Sequence, residues 1–175
     1  TDALTRTTSY EYEVVTRTVG GKPITFTNLI TITDPLSGTT IYDYNERGQV
    51  TSVTDAEGHT SRYGYDSLGQ RVVMTDALGV VTAYGYDDVG RLITTTAAAA
   101  TPLERKTVST YDEGDNVLRV VENYVDGTFD PARPDEDVVT EYGYDAVGRR
   151  TWVTDTLGHV TRNEYDAAGR LAAVT

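Results

Sequence analysis

The sequence predicts an all-β fold in which antiparallel β-hairpins follow one another along a strip. Three observations carry this prediction. A turn pattern, Asp-x-x-Gly, recurs every ten or eleven residues through much of the 175-residue chain. The segments between the turns are rich in Thr and Tyr, with 13 Tyr in the chain, and both residue types favour strands. Within these segments, pairs such as Tyr63 and Tyr65 are two residues apart and therefore share one face of a strand.

The predicted turns come in two alternating forms, which differ in the residue before the aspartate. Tyr-Asp turns, such as 65–69, alternate with Thr-Asp turns, such as 75–79. At the first position of a type I turn, an aspartate can accept hydrogen bonds from the backbone N–H groups two and three residues on. A glycine at the fourth position supplies the left-handed conformation through which the chain leaves the turn in a bulge. The seven intact copies pair Asp55 with Gly58, Asp66 with Gly69, Asp76 with Gly79, Asp87 with Gly90, Asp145 with Gly148, Asp155 with Gly158 and Asp166 with Gly169.

A second repeated feature is a Tyr-x-Tyr pair that precedes several of the turns. In a ladder of antiparallel strands, the pairs of successive hairpins fall on one face and can stack across the sheet. We interpret this row as an aromatic ladder that holds the sheet together, and a platform on which carbohydrate stacks is the alternative. The ladder residues are Tyr10, Tyr12, Tyr42, Tyr44, Tyr63, Tyr65, Tyr84, Tyr86, Tyr142, Tyr144 and Tyr165.

The spacing of the turns predicts the domain organisation. The tyrosines that open the Tyr-Asp turns are most often 21 residues apart, which corresponds to one hairpin per repeat. Longer spacings indicate insertions at turns, over residues 14–26, 97–106 and 124–137. Insertions at turns leave a ladder intact. We therefore expect one repeat array over residues 1–175, which is a segment or supra-repeat of a longer polypeptide or polymer.

Composition excludes several classes of protein. The 27 acidic residues outnumber the 15 basic ones, and the net charge of −12 is incompatible with binding nucleic acid through a basic face. No apolar run is long enough to span a membrane. Cysteine is absent, so the chain has neither a disulfide framework nor a thiolate site. We find no nucleophile, phosphate-loop or zinc-protease motif, and we expect no enzyme activity and no cofactor.

Three groups of charged residues are candidates for binding a metal ion or an anionic ligand. The acidic segment that contains Asp126, Asp130, Asp135, Glu136 and Asp137 is interpreted as a solvated acidic loop without a metal, and a calcium site is the weaker alternative. The histidines occupy equivalent places after a turn glycine, where surface turn residues are expected; they are His59 and His159. Four arginines follow turn glycines and form either a basic stripe for an anionic glycan or ion pairs with neighbouring acids; they are Arg71, Arg91, Arg149 and Arg170.

The run Tyr86-Asp87-Asp88-Val89-Gly90-Arg91-Leu92, with a Thr-Asp-x-x-Gly turn about ten residues away, resembles the RHS/YD-repeat family. That family includes bacterial Rhs toxins, Tc-toxin shells and animal teneurins. The resemblance implies a strip of hairpins that curls into a hollow shell, tube or solenoid-like ladder, which in the toxins encloses an effector. The toxin shells end in a closing segment with an aspartyl autocleavage site. Nothing in this chain matches that segment, so no autoproteolytic residue is carried over.

The two ends of the chain are in phase with the repeat. Residues 1–12 align without gaps to residues 75–86, with seven of twelve positions identical. Joining Thr175 to Thr1 of another copy would place the next turn-opening tyrosine 22 residues after Tyr165. We therefore expect an extracellular or cell-surface structural protein that continues its ladder head to tail into other copies or neighbouring repeats. A toxin-encapsulating shell segment and a cell-surface adhesin that binds glycan are the alternatives.

Overall fold

The structure, a computed structural model, describes residues 7–19 and 22–175. Fourteen antiparallel strands and no helix occur in this part of the chain, which confirms the predicted all-β hairpin fold. The chain forms two compact units, Thr1–Val81 and Thr82–Thr175. Among the described residues, no helix is long and apolar enough to cross a membrane.

The first unit is a meander in which each strand pairs with the next one along the chain. It opens with a long hairpin and continues with shorter strands of five or six residues. Its strands are β1 (Ser9–Val19), β2 (Lys22–Thr33), β3 (Thr39–Tyr44), β4 (Val50–Thr54), β5 (Thr60–Tyr65) and β6 (Arg71–Thr75).

The second unit repeats the same meander, with strands of four to seven residues. Its first strand, β7 (Val81–Tyr86), begins with the last residue of the first unit. The others are β8 (Leu92–Ala97), β9 (Arg105–Tyr111), β10 (Val117–Glu122), β11 (Val138–Tyr144), β12 (Arg150–Thr154), β13 (Val160–Tyr165) and β14 (Leu171–Val174).

Each strand that leaves a Tyr-Asp turn carries a β-bulge. In the hairpin β5–β6, Gly64 pairs with Val73 but Tyr65 pairs with Arg71, so Val72 is an extra residue on β6. The same shift occurs in β3–β4, β7–β8, β9–β10, β11–β12 and β13–β14. A bulge disrupts the ladder locally and leaves backbone groups in need of other partners.

Little of the described chain is buried. Val121 is the only buried hydrophobic residue among the described ones, and Asn28 and Asp137 are the buried polar residues. A side chain on a single layer of strands is covered mainly by its neighbours in that layer, so most residues are half-buried. Such a structure depends on contacts between adjacent strands rather than on a central core.

The three segments expected as turn insertions have different structures. Within 14–26, the described residues belong to β1 and β2, so they lengthen two paired strands. The segment 97–106 contains the loop between β8 and β9, and 124–137 lies in the loop between β10 and β11. Residues 1–6, which carry half of the match to residues 75–86, lie outside the described residues.

Candidate functional site

The turns are built around one carboxylate oxygen. In the turn 66–70, Oδ1 of Asp66 accepts hydrogen bonds from the N–H groups of Leu68 and Gln70, both at 2.9 Å. The bonds therefore come from residues two and four positions on, rather than two and three. The third N–H, that of Gly69, is already used by the type I turn and donates to the Asp66 carbonyl at 3.2 Å.

The same bonds occur in all seven intact turns, and the fourth residue of each is a glycine with φ between 79° and 90°. Two further turns have this geometry without glycine at the fourth position. Ser37 (φ 70°) and Asp115 (φ 64°) adopt the left-handed conformation there. The sequence marks them as weaker copies of the turn pattern, because Asp34 and Asp112 stand at the first positions while the glycine is one position removed from the fourth.

The tyrosine that opens a Tyr-Asp turn connects its hairpin to the one before. The hydroxyl of Tyr65 on β5 donates to the carbonyl of Val50 on β4 at 2.9 Å. Backbone pairing between β4 and β5 covers only Ser52–Thr54 and Thr60–Arg62. The tyrosine bond therefore joins the two strands beyond the end of their backbone pairing. The equivalent bonds, at 2.7 to 2.9 Å, are Tyr44 to Leu29, Tyr111 to Leu92, Tyr144 to Val117 and Tyr165 to Arg150.

Arg91, at the fifth position of its turn, connects two successive turns in the second unit. Nε of Arg91 donates to Asp87 at 2.7 Å, while its Nη1 donates to the carbonyl of Asp112 at 2.7 Å and to Oδ1 of Asp115 at 3.0 Å. The guanidinium also lies 5.0 Å from the ring centroid of Tyr111. These bonds, those to Asp87 first, raise the pKa of Arg91. Its charge is used between turns and does not form a free stripe for an anionic ligand.

The other three arginines that follow turn glycines also form ion pairs or ring contacts. Arg149 pairs with Asp145 at 2.7 Å and lies 4.6 Å from the Tyr165 ring centroid. Arg170 pairs with Asp166 and is 80% exposed. Arg71 lies 5.8 Å from the ring centroid of Tyr63.

The five acidic residues of the 124–137 loop are not gathered around one point. The carboxylate of Asp137, which is 2% exposed, accepts three bonds of 2.9 to 3.2 Å from the N–H groups of residues 125–127. Burial raises its pKa, but these bonds outweigh burial and the pKa is lowered. Arg133 pairs with both Asp130 and Glu136. Four carboxylates thus bind donors of their own loop, which disfavours a calcium ion shared by all five residues; they are those of Asp126, Asp130, Glu136 and Asp137.

A different set of residues could hold a metal ion. One ligand atom from each of Asp55, Glu57 and His59 lies within 4.8 Å of the others, and all three side chains are exposed. Nδ1 of His59 already lies 3.1 Å from Asp55. His159 repeats this contact with Asp155 at 2.8 Å, but that turn has Leu157 where the first has a glutamate.

The long hairpin forms one side of a concave surface in the first unit. β2 pairs with β3 only through Thr31–Thr33, so the hairpin extends well beyond β3. Arg17 anchors the extension, because its Nη2 donates to the Asn45 carbonyl at 2.7 Å and its guanidinium lies 4.7 Å from the Phe26 ring centroid. A groove of about 1020 Å³ lies along the hairpin, β3 and the turn that follows β3.

Comparisons with known proteins agree with this architecture. The RHS repeat family model matches residues 26–60, 44–80, 65–102 and 144–175, which together cover more than half of the chain. A search among curated proteins gave no significant match.

A solved structure with a TM-score above 0.5 shows a similar fold. A chain of the Photorhabdus luminescens Tc holotoxin pore is 18% identical with a TM-score of 0.64, over 83% of this chain and 8% of that one. A chain in the crystal structure of TcdB2-TccC3 is 17% identical with a TM-score of 0.49, over 94% of this chain and 11% of that one. The chain thus spans only a small part of the proteins whose fold it resembles. On the family match and the shared hairpin fold, this chain belongs to the RHS repeat family.

Proposed function

We propose that the chain is a structural wall segment, which forms part of an extracellular β-shell, tube or filament and continues its hairpin ladder head to tail. The row of tyrosine bonds between successive hairpins is the observation that carries this proposal. Neighbouring repeats supply the contacts that a buried core supplies in a compact protein. A structure of this kind gains stability as hairpins are added, and it presents wide surfaces.

The edge of β14 is where continuation can be tested. Arg162 and Thr175 exchange both backbone hydrogen bonds, and Val174 pairs with Asn163 one position before them. In an antiparallel pair such bonding alternates, so the N–H and C=O of Val174 point away from β13. An incoming strand would pair with these groups, because an unpaired strand edge is a template for another strand.

Sedimentation of the 175-residue chain over a wide concentration range tests this association. We expect the wild-type chain to associate with increasing concentration. Val174→Pro removes an outward N–H and should leave the chain monomeric with an unchanged melting temperature, whereas Val174→Thr should associate like the wild type. A wild-type chain that stays monomeric throughout, or a proline variant that associates equally, would contradict continuation through β14.

A segment of a toxin-encapsulating shell is the second candidate. The fold similarity to a chain of the Tc holotoxin pore favours it. In this case the strip would continue within one long polypeptide and enclose an effector. Mass spectrometry of the native polypeptide after limited proteolysis distinguishes the candidates, because a shell would protect an additional enclosed segment from cleavage. A native polypeptide that contains only repeats and assembles into filaments would exclude the shell.

A further inference from the structure

The Thr-Asp turn between β4 and β5 brings one imidazole and two carboxylates together. Its first, third and fifth residues are Asp55, Glu57 and His59, and one ligand atom from each lies within 4.8 Å of the others. A zinc ion holds nitrogen and oxygen ligands at about 2.0–2.2 Å, so its ligand atoms lie no more than about 4 Å apart. All three side chains are exposed, so small rotations about their side-chain bonds are enough to close this difference.

The backbone of this turn uses one oxygen of Asp55 and leaves the other for a ligand. Oδ1 accepts hydrogen bonds from the N–H groups of Glu57 at 3.0 Å and His59 at 2.8 Å, as in the other turns. Oδ2 accepts no backbone N–H among the described residues and lies 3.1 Å from Nδ1 of His59. The turn therefore fixes the backbone from which the three side chains start, while their ligand atoms stay at the surface.

This turn also lacks the cation that equivalent turns have. In the turns that begin at Asp87, Asp145 and Asp166, the fifth residue is an arginine whose Nε donates to the second carboxylate oxygen at 2.7 to 2.8 Å. The fifth residue here is His59, and a histidine ring offers a lone pair to a metal, which a guanidinium does not. Glu57 adds a second carboxylate that forms no ion pair among the described residues. A divalent cation would neutralise this pair of carboxylates.

The ligand atoms select the class of ion. An imidazole nitrogen together with carboxylate oxygens suits Zn²⁺ and other divalent transition metals. Calcium and magnesium are bound through oxygen ligands instead. The acidic loop at 124–137 differs from this set, because its carboxylates already bind backbone N–H groups and Arg133.

The second unit contains a natural control for this arrangement. The turn at 155–159 repeats the aspartate and the histidine, and Nδ1 of His159 lies 2.8 Å from Oδ2 of Asp155. Its third residue is Leu157, which is 68% exposed, so this turn offers two ligands rather than three. Two turns with the same backbone bonds thus differ by one metal ligand.

We propose that the turn at 55–59 binds a divalent transition-metal ion such as Zn²⁺ through Asp55, Glu57 and His59. Three ligands from one turn leave the remaining coordination positions open to water. The site takes no residue from another repeat. It therefore does not depend on whether the chain forms a filament or a shell.

The test is an NMR titration of the ¹⁵N-labelled 175-residue chain with ZnCl₂. We expect saturable shifts at the backbone amides of residues 55–59 and at the ring nitrogens of His59, with a Kd of ~100 µM. Glu57→Leu gives the first turn the side chains of the second. It should weaken binding at His59 by about tenfold or more, since the loss of residues that only support metal ligands already costs that much.

The reciprocal variant, Leu157→Glu, should strengthen Zn²⁺ binding at His159 by a similar factor. Both substituted side chains are exposed, and melting curves of each variant verify the fold. CaCl₂ controls for simple attraction of a cation to acidic groups and should cause no saturable shift at the His59 ring.

Three results would overturn the proposal. They are no saturable shift at residues 55–59 with ZnCl₂, equal Zn²⁺ affinity of the wild type and Glu57→Leu, and shifts with CaCl₂ as large as those with ZnCl₂. The last result would identify an unselective acidic surface.

Discussion

At the scale of single residues, glycine has two separate roles in this chain. Gly79 has φ +82° and its missing Cβ would meet nothing within 4 Å, so backbone conformation alone requires glycine there. Gly143 in β11 has no such conformation, but a Cβ there would overlap the indole of Trp152 at Nε1. Trp152 is the partner of Gly143 across the strands, and its indole covers the glycine. One glycine is thus needed for its conformation and the other for space.

We expect Gly79→Ala to lower the free energy of unfolding by about 1 kcal/mol, because a Cβ is strained in the left-handed conformation. Leu78→Ala is the matched control, since this neighbouring side chain is 88% exposed and should be nearly neutral. Urea unfolding of both variants measures the difference. Equal effects would mean that the turn does not impose its conformation on position 79.

Gly143→Ala is expected to cost about 1–3 kcal/mol, as overpacking usually does, because the indole must move away. The cost should largely disappear in a Trp152→Leu background, where the space above residue 143 is open. A double-mutant cycle by urea unfolding separates this coupling from the loss of the indole itself. A penalty that persists at full size without the tryptophan would show that the crowding lies elsewhere.

At the scale of elements, the bulge and the turn-opening tyrosine act together. The bulge on β4 lies next to the place where pairing of β4 with β5 ends. The Val50 carbonyl there accepts a hydrogen bond from the Tyr65 hydroxyl of the next hairpin. Burial raises the pKa of both Tyr44 and Tyr144, which agrees with an enclosed position for these hydroxyls. Tyr142, the first tyrosine of its pair, contributes its ring without such a bond among the described residues, and Arg150 lies 6.0 Å from its ring centroid.

The two tyrosines of one pair should therefore respond differently to loss of the hydroxyl. Tyr144→Phe removes the 2.9 Å bond to the Val117 carbonyl and should lower the free energy of unfolding by about 0.5–1.5 kcal/mol. Tyr142→Phe, two residues away on the same strand, should be nearly neutral. Chemical denaturation of both variants tests the assignment, which fails if the order of the two effects is reversed.

At the scale of the whole molecule, the turns account for a third of the acidic residues, since nine of the 27 are turn aspartates. The backbone N–H of the fifth turn residue lowers the pKa of Asp87, Asp145 and Asp166, and the arginine side chain at that position lowers it further. Protonating these carboxylates removes bonds of 2.7 to 3.1 Å. It also relieves repulsion within a chain of net charge −12, but salt screens that repulsion over about 8 Å at physiological ionic strength.

We therefore expect stability to fall in acid. A carboxyl group whose pKa is lowered by folding contributes stability above its unfolded pKa of about 3.9, and this contribution is lost as the pH falls through the folded value. Urea unfolding at fixed ionic strength should show a plateau near neutral pH and a decline below about pH 4. Asp145→Asn should be less stable at pH 7 and show a shallower decline. Stability that rises below pH 4 would mean that charge repulsion dominates the turn bonds.

Much of this fold could be predicted from local sequence. The turns and the alternating strands each depend on five to ten consecutive residues. Because these patterns repeat along the chain, they can be recognised without any knowledge of the tertiary structure. The seven turns and the hairpin order are therefore present in the sequence itself. The turns that contain Ser37 and Asp115 are recognisable as irregular copies, but the left-handed conformation of these two residues is not, because a left-handed non-glycine residue has no comparably strong local signal.

The groove beside the long hairpin depends on contacts between residues that are distant in sequence, and a repeat pattern does not reveal such contacts. The 14–26 segment breaks the repeat, and only pairing of β1 with β2 shows that it extends a hairpin and creates a groove over β3. The acidic run at 126–137 allowed a solvated loop or, less readily, a cation site, and only the fold shows that backbone N–H groups bind Asp137 and that Arg133 pairs with its acidic neighbours. The sequence by itself thus determined the turns, strands and hairpin order, because each rests on bonds within a few residues. The tertiary structure decided which partners the polar groups find, because those partners come from other strands and loops.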